Sequence, residues 1–181
     1  FGSGSYTYEG WFYFNGFSET PDGIFSRNNS STQEWAVCTN SSGTLQFFES
    51  INNSYNTSSF TFSTGQWYHI ALCKNGTTYK VYVDGSEKIS VTLSSAPDAN
   101  LPVLIGRFYD NYNGYYLDGY CFDFRAQKGV DTGGSVPSAP FELNPVYIGG
   151  DQSGNKNHFT PTNISSHDVM RDTPTSNFCT F

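Results

Sequence analysis

Positive charge is scarce in this sequence. Lys and Arg number 9 against 16 Asp and Glu, which leaves a net charge of -7 over 181 residues. Proteins hold nucleic-acid backbones with clustered Lys and Arg that neutralise phosphates, so the composition argues against a nucleic-acid partner. The same deficit disfavours adhesion to an anionic membrane surface. No apolar run approaches the roughly 20 residues that a membrane-spanning helix needs, so membrane insertion is not expected. Good helix formers at a 3.6-residue period are missing too: charged residues make up 14%, there is one Met, and no window reads as an amphipathic helix. Cysteine is sparse and dispersed. Cys38, Cys73, Cys121 and Cys179 are too far apart for the close ligand pairs of a zinc site, and they leave three disulfide pairings open. Cys73 and Cys121 fall inside predicted strands, where a thiol behaves as a small core residue, so free buried thiols are expected. The chain opens on Phe1 with neither Met nor a secretory signal pattern, the beginning expected of a processed product or an excerpt.

What the sequence has is aromatic residues and turn formers: 13 Tyr, 16 Phe and 18 Gly. They organise around 66–93, QWYHIALCKNGTTYKVYVDGSEKISVTL. Asn75-Gly76 and Asp84-Gly85 suit the positive φ of tight hairpins, which predicts a three-stranded antiparallel meander. In its first run Trp67, His69, Ala71 and Cys73 alternate with Tyr68, Ile70 and Leu72, so both faces are largely apolar and the strand belongs in the middle of a sheet. Tyr79, Val81 and Val83, then Ile89, Val91 and Leu93, alternate with polar residues and predict one buried face each. Such a sheet needs a second layer.

Upstream, an aromatic strand from about Ser5 to Asn15 reads as buried on both faces. Short strands are predicted at 24–27, 34–38 and 45–48, with 52–59 as an exposed polar loop. Downstream, 103–107 reads as a buried strand and 117–125 as a closing strand. From about Tyr147 periodicity fades and Thr-Pro-Thr recurs at 160–162 and 173–175.

Gln66-Trp67-Tyr68-His69-Ile70-Ala71, Tyr82-Val83-Asp84-Gly85 and Leu104-Ile105-Gly106 resemble the "W-x-H-x-A … Y-V-D-G … I-G" signature of laminin-G-like domains in the concanavalin A-like lectin and glucanase superfamily. Tyr6 to Phe14 and Leu117 to Arg125 are similar to that family's early and closing strands. The resemblance covers about 1–145 and implies an all-β, two-sheet antiparallel jelly-roll sandwich. Residues 126–145 resemble the wrapping segment of phage relatives, with Asp131-Thr132 in place of Arg-Tyr. The 146–181 region, with D-x-S-G-N-x-N-x-F-T-P-T-N and D-T-P-T-x-N-F, resembles text in virion and tail proteins of aquatic bacteriophages. It is expected to be an extended tail packing on the domain or on a neighbouring chain. Laminin-G-like domains usually carry a strand before the one near Phe1, and none is visible. The edge beside Tyr6 to Phe14 is therefore expected to be paired by 146–181 or by another subunit.

The superfamily includes glycoside hydrolases, which need a constellation of carboxylates such as E-x-D-x-E. No such triplet occurs. Glu9 stands alone in its strand, and in an unbroken strand Asp118 and Asp123 point to opposite faces. His69, His158 and His167 carry no nucleophile motif. No catalytic residue is expected. Carbohydrate binding has more support: in the turn 108–116, Tyr109, Tyr112, Tyr115 and Tyr116 offer rings to sugar C–H faces beside Asp110, Asn111 and Asn113, which can hydrogen-bond hydroxyls. The competing reading is a tyrosine-rich hairpin tip packed on its own sheet or on a neighbouring chain. No cofactor is required. Laminin-G-like relatives often hold calcium at the sandwich rim, which makes Asp110, Asn113 and Asp118 candidate ligands, with Asn111 beside them.

The resulting expectation is a non-enzymatic module of a virion, a tail fibre or other surface appendage, that recognises host glycans or assembles with sister subunits as a homo-oligomer. One alternative is a secreted or cell-surface lectin, for which the N-x-S/T triplets at Asn28, Asn29, Asn40, Asn52, Asn56, Asn75 and Asn163 would be glycan acceptors. The other is a purely architectural subunit.

Overall fold

The computed structural model describes residues 4–29, 31–110 and 113–138. The chain divides into two units, 1–138 and 139–181. The expected tail, with Cys179, His158, His167 and the phage-like text, lies outside the described residues. So do Asn111 and Tyr112.

Among the described residues, ten strands build two five-stranded antiparallel sheets. They are β1 (Tyr6–Phe14), β2 (Asp22–Asn28), β3 (Gln33–Thr39), β4 (Thr44–Glu49), β5 (Ser54–Thr61), β6 (Trp67–Asn75), β7 (Thr78–Val83), β8 (Ser86–Thr92), β9 (Leu104–Ile105) and β10 (Gly119–Lys128). One sheet has the order β10-β1-β6-β7-β8 and the other β5-β4-β3-β2-β9. This is the expected two-sheet sandwich. The meander is present as β6, β7 and β8, with Gly76, Asp84 and Gly85 at positive φ. β6 lies inside its sheet, and residues 68–74 are buried on both faces.

The core between the sheets is aromatic. Tyr6, Tyr8, Phe12 and Phe14 from β1 meet Phe25, Trp35, Phe47, Tyr68 and Tyr79, all buried. Trp35 sits among Tyr6, Tyr8 and Phe25 at ring-centroid distances of 6.4, 5.3 and 6.2 Å. Residues of one parity along each strand fill this space, as the pleat requires.

Several expectations are corrected. The free side of β1 is paired by the chain's own closing strand β10, from Tyr6 opposite Lys128 to Phe14 opposite Gly119, and needs neither the tail nor a neighbour. Residues 54–59 of the predicted 52–59 loop belong to an edge strand, β5, which runs on to Thr61. Its alternating burial and polar rungs, Thr44–Thr61 and Gln46–Thr57, are what an edge with one wet face looks like. The predicted strand at 103–107 shrinks to the two-residue β9, which ends at Gly106 with φ of +70°. Cys38 and Cys73 are free and buried, but the free Cys121 is exposed because β10 is an edge strand. The outer side of β1 is only partly covered: Trp11 and Tyr13 are half-buried.

A bulge shapes β10. Glu9 opposes Arg125 and Trp11 opposes Phe122, so Gly10 faces both Asp123 and Phe124, with Asp123 at φ of +55°. The strand is therefore broken, and the parity argument that set Asp118 against Asp123 does not hold. A Cβ at Gly10 would press on Phe124, and one at Gly119 would overlap the Tyr13 carbonyl. Gly119→Ala should therefore weaken the docking of β10 on β1 and lower stability by about 1–3 kcal/mol, the range for overpacking. Urea denaturation would check this; an unchanged midpoint would contradict so close an approach of the two backbones.

Candidate functional site

The outer face of the β10-β1-β6 region is organised in rungs. Reading across the strands, Tyr120, Tyr13 and Trp67 form the first, Phe122, Trp11 and His69 the second, and Arg125, Glu9 and Ala71 the third. The bulge is what places Arg125 on the same face as Tyr120 and Phe122, since without it their parities differ.

The first two rungs make an aromatic grid open to solvent. Tyr120 is 61% exposed, Trp67 46% and Phe122 44%. Ring centroids lie 5.8 Å apart for Tyr13–Tyr120, 5.5 Å for Tyr13–Trp67 and 6.4 Å for Trp67–Phe122. Trp11 rests 5.4 Å from the fully buried His69. Isolated exposed aromatics need no explanation, but contiguous ones mark contact surfaces.

The third rung holds an ion pair, the half-buried Arg125 on the fully buried Glu9, beside the buried Ala71. Arg125 Nε donates to Glu9 Oε1 at 2.8 Å, and its Nη2 lies 2.8 Å from the same oxygen. His69 Nε2 is 3.2 Å from Glu9 Oε2. Burial works against the Glu9 charge, but His69 and Arg125 outweigh it and hold the carboxyl below its usual range. Beyond this rung the segment 129–138 crosses the sheet. Thr7 Oγ1 donates to Val130 O at 2.9 Å and accepts from Thr132 N at 3.2 Å, while Gly134 lies against the Tyr82 ring. Of the wrapping segment expected at 126–145, residues 126–128 instead extend β10, 129–138 cross the sheet, and the rest lies outside the described residues. The 129–138 segment closes one half of the outer face and leaves the aromatic half open.

The tyrosine-rich turn lies on the other sheet. Phe108 is buried against Ala36, Cys38 and Phe48, with half-buried Tyr109 and Tyr115 packed on that cluster. Gln33 Nε2 donates to Tyr109 Oη at 2.9 Å. Asp110 is half-buried, and its backbone N donates to Asn28 O at 3.2 Å. Asn113 is exposed. Tyr116 is 43% exposed, with the Arg107 guanidinium 5.1 Å from its ring centre. Much of the described turn therefore packs on its own sheet, and Tyr116 is its outward ring.

Asp118 is exposed at the start of β10 and accepts from Asn15 Nδ2 at 3.3 Å, whereas Asp110 borders the end of β2. Among the described residues no group of three or more His, Cys, Asp or Glu is arranged to hold a metal ion. Near Asp118, Glu19 Oε2 accepts from Tyr116 N at 3.2 Å, and the Asp22 carboxylate accepts from Ser18 N and Glu19 N at 3.1 and 3.0 Å.

The grid was not singled out from sequence. Its signal was present: Trp11, Tyr13, Trp67, Tyr120 and Phe122 sit opposite core residues in alternating strands, at positions where polar side chains would be ordinary. The aromatic density of β1 read as double burial instead, and the bulge hid the face of β10.

The aromatic-cored sandwich of two antiparallel five-stranded sheets defines the class: a concanavalin A-like domain. The family model for the concanavalin A-like lectin/glucanases superfamily, Laminin_G_3, matches residues 1–136, and the chain belongs to that family. No curated protein matches the chain by sequence. Among solved structures it is similar to domain 4 of an extracellular arabinanase from Geobacillus stearothermophilus in complex with arabinotriose (20% identity, TM-score 0.52, 72% of this chain and 64% of that one). It is also similar to a heptameric pentraxin from Limulus polyphemus (20%, 0.51, 67% and 63%) and to a Trypanosoma rangeli sialidase (11%, 0.57, 69% and 21%). The chain spans less than two thirds of each, and at these identities the likeness is one of fold.

The acidic rim carries a pH signature. Burial pushes the Asp22 carboxyl up to about 6; its two backbone N–H donors oppose this, and the Glu19 and Asp118 charges add to it. The native state then holds a proton that the unfolded chain, at an ordinary carboxylate value, has released. Stability from this group is present below about pH 4 and is lost as pH rises to about 6. Asp22→Asn should remove that slope, its melting temperature gaining on wild type across this window by the equivalent of at most about 3 kcal/mol. Parallel melting curves from pH 4 to 7 would show the Asp22 charge to be harmless.

Proposed function

We propose that this domain is a non-enzymatic carbohydrate-recognition module that binds through the aromatic grid of Tyr13, Trp67, Tyr120 and Phe122. The supporting observation is the contiguity of these rings, with Trp67, Tyr120 and Phe122 exposed around the half-buried Tyr13. Sugars present C–H faces to aromatic rings and hydroxyls to their rims, and Tyr supplies both kinds of partner in one side chain. The concanavalin A-like lectin fold is consistent with this use, although fold alone does not fix function.

A non-catalytic role is supported by the chemistry beside the grid. Glycoside cleavage draws on a pair of carboxyl groups flanking the bond. The carboxylate in the adjoining rung, Glu9, is fully buried and engaged by Arg125 and His69. The tyrosine-rich turn supports a second contact, with Tyr116 as its exposed ring and Asp110, Asn113 and the neighbouring Asn111 and Tyr112 as hydrogen-bonding or stacking partners. A calcium ion at Asp110, Asn113 and Asp118 is not needed for the grid to bind.

The biological setting we infer from the sequence is a virion surface appendage such as a tail fibre, with host-surface glycan and sister subunits as partners. Its support is the phage-like text of 151–178. A secreted lectin is the alternative.

Glycan-array screening of the full chain tests the reading. Wild type should bind oligosaccharide, Trp67→Ala and Tyr120→Ala should each lose about tenfold in affinity, and Tyr116→Ala should lose less. If wild type binds no glycan, the recognition role fails; if only Tyr116→Ala matters, the site moves to the other sheet.

A further inference from the structure

The grid also bears on which sugars it would take, an inference that rests on the recognition role above. We infer that its ligand is an uncharged linear oligosaccharide lying across the strands, with successive sugar rings over Tyr120, Tyr13 and Trp67.

Two independent features carry this. The first is spacing. The three side chains occupy one rung across β10, β1 and β6, with centroids 5.8 and 5.5 Å apart. Neighbouring strands repeat at about 4.7–4.9 Å, so such a row is a ladder of rings with a regular step. Each sugar of a chain crossing the strands meets its own ring, which a single exposed aromatic could not offer.

The second is charge. Neither aromatic rung presents a cation to solvent: its members are Tyr120, Tyr13, Trp67, Phe122, Trp11 and the fully buried His69. The nearest cation in the ladder is Arg125, one rung further. Both of its contacting nitrogens are turned onto Glu9 Oε1, so its charge is matched by a buried carboxylate. Sialate, uronate or sulfate groups would find no uncompensated partner there, and would meet a chain of net charge -7. Recognition of anionic groups calls for charge-assisted donors, above all Arg in bidentate geometry, and here that geometry is already used internally.

The test compares neutral oligosaccharides with uronate-containing and sulfated ones of equal length, titrated into the full chain. Wild type should bind neutral chains, gain affinity from mono- to di- to trisaccharide with no further gain at tetrasaccharide, and bind acidic ones at least about tenfold more weakly. Neutral binding should hold constant from low to high salt, because no ion pair forms. Glu9→Gln leaves the Arg125 charge uncompensated and should narrow the gap by raising acidic-glycan affinity; should that variant not fold, the wild-type salt series decides. A wild-type preference for acidic glycans that fades with salt would overturn this inference while leaving carbohydrate recognition standing. Absence of binding to every glycan would overturn both. Length-independent binding would overturn the transverse ladder.

Discussion

The register between β1 and β10 governs both faces of the first sheet. One extra residue at Asp123 turns the strand so that Phe124 enters the core while Arg125 emerges beside Glu9. An unbroken β10 that kept Tyr120 and Phe122 on the outer face would do neither, because side chains alternate with period two and a one-residue slip exchanges the faces. Gly10 permits the bulge by leaving room for Phe124. The aromatic core, the buried ion pair and the open grid therefore depend on one irregular step in one pair of strands.

The ion pair in turn divides the outer face. A buried carboxylate left without partners costs several kcal/mol, so Glu9 requires Arg125 and His69 to stay in place. Arg125 spans from the edge strand to the sheet interior and so ties β10 to β1 with side chains as well as backbone. On one side of this rung the 129–138 segment covers Thr7, Cys73 and Tyr82; on the other nothing described covers Tyr13, Trp67, Tyr120 or Phe122. A similar device acts on the second sheet, where buried Glu34 is held by Arg27 at 3.1 Å and accepts from Ala99 N at 2.8 Å, anchoring the connection before β9.

Regular features were legible in the sequence and irregular ones were not. Alternation in 66–93 sufficed to place β6, β7 and β8, because hydrophobic period and turn chemistry agreed there. The polar run at 52–59 carried no such agreement: Ser, Thr and Asn suit a loop as well as a wet edge strand, and only pairing with β4 decides. Pairing of β1 with the distant closing strand could not be read from local pattern either, since it joins residues more than a hundred apart. The tyrosine-rich turn drew notice for its composition, but composition does not say which rings face outward. Phe108 is hidden and Tyr116 is not. The grid was spread over three segments, with Trp11 and Tyr13, Trp67, and Tyr120 and Phe122 each looking like a core residue of its own strand.

That dispersal bears on how the recognition role proposed above would arise on this fold. Loops that join sandwich strands vary freely and are the usual home of binding residues, because their backbone is not committed to a ladder. A site on the sheet face has the opposite character: its side chains stand on a hydrogen-bonded scaffold whose spacing is fixed by the strands, so their separations are set before a ligand arrives. Such a surface gives up adaptability and gains preorganisation, which lowers the ordering cost that weakens most sugar contacts. A repeating ligand gains most from a repeating array, whereas a compact branched one gains more from a cup of loops. Under the proposed recognition role, the open half of the first sheet would favour ligands with a period of their own.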